Sequence, residues 1–244
     1  MAINFRLTGF AVLLSLGLGG SLSAAVLSVG ATSEIYSSGQ AATSQGGTLP
    51  LSFAFTAGAG QTLSFSSVTG TVSCGGLCAS GIAPDGASIA GMTGTNIGCN
   101  TCGISAIQFI GRQFFLVGVF LDAASVPSGA NPAALPGYTD SSALGSTFSP
   151  GLNQVFFIGD GQGTGGAQTF NIPATAARLF LGFADGVPLF GSAGSQALAG
   201  AYGDNSGSLI ATFAVAAATP EPGTMALFAL GLAAIALARK KQLV

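Results

Sequence analysis

The chain has 244 residues, no histidine, no tryptophan and only six Lys and Arg, and 6% of it is charged. An ordinary soluble domain carries about 25% charged residues. Each absence removes a class of chemistry. Without His, and with Lys only at 240 and 241, the body has neither a Ser-His nor a Ser-Lys catalytic pair. Without Trp it lacks a common stacking platform for sugars. Across residues 26–219 the cations are Arg112 and Arg178, set against Glu34, Asp85, Asp122, Asp140, Asp160, Asp185 and Asp204. Two cations minus seven anions leaves the body near −5. Phosphate binding needs basic clusters, so a nucleic-acid partner is excluded. A carboxylate pair for glycoside hydrolysis is the remaining catalytic option. Yet Asp85, Asp160 and Asp185 each precede Gly, which is ordinary turn chemistry. The inventory therefore predicts a non-enzymatic protein.

What is present is 49% hydrophobic residues and 39 Gly. The chain is rich in Phe, Leu, Ile and Val, enough for one core in a domain of roughly 200 residues. The body carries short alternating or apolar runs separated by Gly, Pro, Asp and Asn: "TLPLSFAF", "QTLSFSSV" with "TGTVS", "ISAIQFI", "QFFLVGVFLD", "NQVFFIGD", "AQTFNI", "ARLFLGFAD" and "SLIATFAV". In the first, Leu49, Leu51, Phe53 and Phe55 share one face at period two. About eight strands and no sustained 3.6-residue period predict an all-β, two-sheet, jelly-roll-like sandwich. The Pro- and Ser-rich stretch from Val126 reads as a long loop or crossover.

The two ends read as addresses. Residues 1–25 have one cation, Arg6, an apolar stretch from about Phe10 to Leu18, and Ser23-Ala24-Ala25 suited to cleavage after Ala25. That is a secretory signal helix for the Sec machinery, with the strand-rich region opening near Leu27. A sandwich domain is expected over 26–219. Residues 220–244 hold Pro220-Glu221-Pro222, the apolar run Met225 to Ala238, and Arg239, Lys240 and Lys241. Fourteen residues of helix cover ~21 Å, a thin membrane span held with its basic end in the cytoplasm. The order of these three elements resembles the PEP-CTERM sorting signal of Gram-negative bacteria. The resemblance implies recognition by an exosortase and cleavage near the Pro-Glu-Pro. The chain would pass through the inner membrane transiently and reach the cell surface or extracellular matrix.

Two internal motifs have plain readings. "GQGTGG" at Gly161 to Gly166 formally matches G-x-G-x-x-G, but a strand follows where a dinucleotide site needs a helix. It reads as a hairpin turn. Cys74, Cys78, Cys99 and Cys102 could ligate zinc, but in an exported chain an even count predicts two disulfides, with three connectivities open.

The segment "YGDNSGS" before the final strand resembles the turn of the small calcium-dependent galactose-binding bacterial lectins and related galactose-binding-like sandwiches. The resemblance implies a Ca²⁺ site with side-chain ligands Asp204 and Asn205, the Ala201 carbonyl and a carboxylate from Asp185. It also implies an extracellular polysaccharide as partner. The lectins' sugar-contacting His has no counterpart here. The pattern "NQVFFIGDG … ARLFLGFADG … YGDNSGSL" is also similar to exported proteins carrying this sorting tail. A plain turn explains the same residues, because Gly, Asp and Asn accept positive φ. The sequence thus leaves a calcium-dependent binder, a structural matrix protein without ligand, and a carboxylate glycosidase.

Overall fold

The computed structural model describes residues 22–75, 80–88, 94–187, 196–218, 230–233 and 235. The chain divides into Ser21–Ala218 and a second unit of Met1–Gly20 with Thr219–Val244. In the second unit the described residues are 230–233 and 235, and they are helical. Among the described residues no helix is long and apolar enough to cross a membrane. Signal residues 1–21, Cys78, Pro220, Glu221, Pro222, Arg239, Lys240 and Lys241 lie outside the described residues.

Ser21–Ala218 is built from short strands. They begin with β1 (Leu22–Gly30), β2 (Ser52–Ala54), β3 (Thr62–Ser73), β4 (Ala87–Ser88) and β5 (Thr95–Gly98). Next come β6 (Ile107–Phe109), β7 (Arg112–Gln113), β8 (Leu116–Leu121), the helical turn α1 (Asp140–Ala143) and β9 (Thr147–Phe148). After them run β10 (Val155–Phe157), β11 (Gln162–Gly163), β12 (Gly166–Ala167) and β13 (Thr169–Asn171). The last four are β14 (Arg178–Phe183), β15 (Gly186–Val187), β16 (Ala197–Ala199) and β17 (Ser206–Ala216).

A five-stranded sheet, β1-β17-β3-β13-β9, faces a four-stranded sheet, β10-β8-β14-β2. Alternation does the sorting. Leu63 and Phe65 of β3, and Leu209, Ala211, Phe213 and Val215 of β17, point inward and are buried. They meet Leu116, Phe120, Phe156, Leu179 and Leu181 from the second sheet in one apolar cluster. Phe65, Phe170 and Phe213 pack ring against ring, edge-on or tilted, at 5.5–5.9 Å. This is the expected sandwich.

A third layer was not expected. Val117, Val119, Leu121, Val155, Phe157 and Phe180 leave the second sheet on its other face. There they join Ile35, Tyr36, Ile97, Ile107 and Phe109 in a second apolar cluster. Its cover includes the sheet β15-β16-β5-β6. Strand β8 is therefore buried on both faces, and all six of its residues are buried.

The first strand opens at Leu22, ahead of the expected Leu27, because β1 pairs with β17 from Leu22↔Ala216 to Gly30↔Ser208. In "TLPLSFAF" only Ser52–Ala54 is strand. Leu49 and Leu51 are exposed, while Phe53 and Phe55 pack on the core. The stretch after Val126 is largely loop, as expected, with α1 and β9 near its end. "GQGTGG" is a hairpin, with Gln162↔Ala167 and Gly163↔Gly166 paired across it.

Candidate functional site

The structure joins two of the predicted ligands, Asp185 and Asn205, by a hydrogen bond, and sets Ala201 and Asp204 in the turn that precedes Asn205. Phe183 ends β14, so Asp185 follows directly from a buried strand and is itself only 2% exposed. Its Oδ1 accepts from its neighbour Gly186 N–H at 2.8 Å. Its Oδ2 accepts from Asn205 Nδ2 at 2.8 Å. Asn205 sits just before β17, is 7% exposed, and also donates to the Ala31 carbonyl at 3.3 Å. Its Oδ1 is buried and has no hydrogen-bond partner. A buried amide oxygen without a donor is costly, which marks a place where a ligand or cation would be welcome.

Between these residues lies a tight turn. Ala201 takes a left-handed φ of 65°, and Tyr202–Asp204 form one turn of 3-10 helix. Tyr202 is fully buried and anchors that turn, donating its hydroxyl to the Phe183 carbonyl at 2.9 Å and accepting from Asp185 N–H at 3.3 Å. Burial pushes the Tyr202 phenol well above its ordinary value. Asp204 is exposed and lies against Gly75, where a side-chain carbon would run into its carboxylate. Burial raises the Asp185 carboxyl to about 6; the Asn205 and Gly186 N–H bonds oppose this, and the Asp204 charge adds to it. Cys74, Thr95, Gln113, Phe114 and Asp185 line an adjoining cavity of about 10 Å³, room for roughly one water molecule.

Two carboxylates, an amide oxygen and a turn carbonyl would be a hard-oxygen donor set suited to Ca²⁺ rather than a transition metal; of these the structure joins Asp185 to Asn205, through the Asn205 N–H. Among the described residues no three His, Cys, Asp or Glu side chains cluster as a metal cage. The fit rests on the orphaned Asn205 oxygen. Asp185 is more than the Asp-Gly turn residue its sequence context predicts. It is a buried carboxylate tied to the start of the last strand.

The cysteines resolve one of the open pairings. Cys99 and Cys102 form a disulfide. Cys74 is disulfide-bonded as well. The Cys99–Cys102 bridge is local, so it braces one loop instead of stapling the whole Cys74 to Cys102 region. Asn131 holds that loop from outside, donating to the Cys99 carbonyl at 2.6 Å and accepting from Gly103 N–H at 2.9 Å.

The other carboxylates have structural partners. Asp85 accepts from Asp160 N–H at 2.8 Å and lines a small cavity with Arg112 and Asp140, which form an ion pair. Asp85 and Asp185 line different cavities. Arg178 is spent on the Asp122 and Ser125 carbonyls at 2.8 and 2.6 Å. Sequence reasoning missed Glu34, which is fully buried. Its carboxylate accepts from the Ser37 hydroxyl and from the N–H groups of Ser44, Gln45 and Gly47. A single acid before "IYSSGQ" gives no signal of this, because three of its four donors are backbone groups ten and more residues away.

The PEP-CTERM protein-sorting motif matches residues 218–241, beginning two residues beyond the end of β17. No curated protein and no solved structure matches the chain. The matched motif supports export and exosortase sorting to the cell surface.

Proposed function

We propose that the sorted product is a non-enzymatic surface or matrix protein that binds Ca²⁺ at the Asp185–Asn205 end of its sandwich. Extracellular polysaccharide would be recognised through that ion. The observation that carries the reading is the buried, unpartnered Oδ1 of Asn205 beside the buried carboxylate of Asp185. Asp185, Asp204, Asn205 and the Ala201 carbonyl would hold the ion, and it would supply a charge able to draw sugar hydroxyls to the loop end. The chain's own part is positioning. Tyr202 pins the turn to Phe183, and Ala31 and Asp185 orient the Asn205 amide.

The test is the melting temperature of the processed protein in chelator and in millimolar calcium. A ligand at 100 times its dissociation constant stabilises by about 2.7 kcal/mol, a shift of several degrees. The shift is expected to vanish in Asn205→Ala and in Asp204→Ala. A wild-type protein that melts alike in both buffers would leave a structural matrix protein without a calcium ligand.

A further inference from the structure

A second stretch of chain lies against the candidate calcium site. Strand β3 ends at Ser73, which pairs with Ser206, the first residue of β17. Cys74 and Asn205 are the next residues beyond that pair, so one segment leaves the sheet where the other enters it. Val72 and Ile82 exchange backbone hydrogen bonds at 3.0 and 2.7 Å and close the base of the loop between them. That loop, "SCGGLCASG", carries three glycines and no charge. Glycine loses more backbone freedom on folding than other residues do, so such a loop is costly to hold in one place.

Two of its residues are nevertheless fixed against the site. Cys74 is disulfide-bonded and buried, and it lines the cavity of about 10 Å³ together with Asp185. Gly75 has a left-handed φ of 57° and lies so close to the Asp204 carboxylate that a Cβ would overlap it. The proposed side-chain ligands differ in support. Asp185 is buried and held by Tyr202 and Asn205, whereas Asp204 is exposed and rests on Gly75.

We infer that the Cys74 disulfide is a redox control on calcium binding at this site; the inference rests on the calcium reading above. With the bridge closed, Gly75 stands as a wall behind Asp204 and keeps its carboxylate at the turn. An exported chain meets an oxidising compartment, where the bridge stays closed. A dithiol opens it. The S–S bond breaks, each sulfur gains one electron and one proton, and the dithiol is oxidised to its own disulfide. The glycine loop then regains its freedom, and Asp204 loses its support. Calcium and the bridge are linked reciprocally, so the factor that reduction takes from calcium affinity is the factor by which bound calcium makes the bridge harder to reduce.

Calorimetric calcium titration of the processed protein tests this, with and without dithiothreitol and with folding followed by circular dichroism. The Cys99→Ser/Cys102→Ser variant confines reduction to the Cys74 bridge; if it fails to fold, wild type with its thiols labelled and mapped by mass spectrometry replaces it. Reduction of the folded protein should weaken calcium binding by roughly 10- to 100-fold, as loss of a ligand's supporting contact does at metal sites generally. Gly75→Ala keeps the bridge but displaces the Asp204 carboxylate, and should weaken binding with no reductant present. Equal affinity in the oxidised and reduced folded forms overturns the inference and leaves the calcium site standing, and so does unchanged affinity in Gly75→Ala. Reduction that unfolds the sandwich also overturns it, because the bridge is then a staple of the fold and not a control on one site. An oxidised protein that takes up no calcium overturns the calcium reading, and this inference with it.

Discussion

Asp185 and Glu34 are both buried carboxylates, but they are solvated by the protein to different degrees. Glu34 accepts from three backbone N–H groups and a hydroxyl, whereas Asp185 accepts from one backbone N–H and one amide. Desolvation therefore dominates at Asp185 and raises its carboxyl to about 6. In the unfolded chain the group titrates near 3.9. The folded state then binds the proton more tightly, so this stabilisation is complete below about 3.9 and is lost as the pH rises to about 6. The loss at neutral pH is on the order of 2 to 3 kcal/mol. Urea unfolding without metal should show Asp185→Asn flattening that decline. Added calcium should stabilise wild type more at pH 7 than at pH 5, because a cation competes with the proton. At Glu34, replacing the carboxylate turns an amide toward donors that need an acceptor. Glu34→Gln should lower unfolding free energy by about 3 kcal/mol in the same assay.

At the scale of elements, the middle sheet decides how tolerant the fold is. Gly118 lies within β8, and a Cβ there would meet Phe156 Cζ at 2.8 Å and Ile158 Cδ1 at 2.9 Å. Gly118→Ala should cost about 1 to 3 kcal/mol through overpacking, read as a lower denaturant midpoint. Phe120→Ala, at a fully buried position of the same strand, should cost about 3 to 5 kcal/mol. The strand was legible in "QFFLVGVFLD", but its burial on both faces was not. A continuous apolar run names a buried strand without saying what covers each side. The alternating strand β3 could be read in position and in facing direction, because Ser64 and Ser66 alternate with Leu63 and Phe65, whereas β17 could be read in position. Leu49 and Leu51 misled for a related reason: period two marks a face, and only β2 is held against the sheet by Arg178↔Ala54 and its neighbours. At the site, Asp185, Asp204 and Asn205 were legible as turn chemistry. The Glu34 cradle and the Tyr202 anchor depend on contacts between segments distant in sequence, which no local pattern carries.

For the whole molecule, β17 sets the relation between the candidate site and the point where the chain leaves the sandwich. Its first residue, Ser206, follows Asn205 directly, and its last, Ala216, stands two residues before the matched sorting motif. Eleven residues at ~3.3 Å each separate these ends by roughly 35 Å. Strand β1 runs antiparallel beside it, so Leu22 lies at the Ala216 end and Gly30 at the site end. Both chain ends thus leave the sheet at the pole opposite the Asp185–Asn205 turn. β17 is held through its length by β1 and β3, so a cut beyond Ala218 removes no strand. Calcium binding should therefore be indifferent to sorting. Full-length protein from cells lacking the exosortase, and processed protein from wild-type cells, should show the same calcium-dependent protection from proteolysis within the body. Protection in the processed form alone would mean that the turn is completed only after cleavage, and would break the separation of poles that β17 imposes.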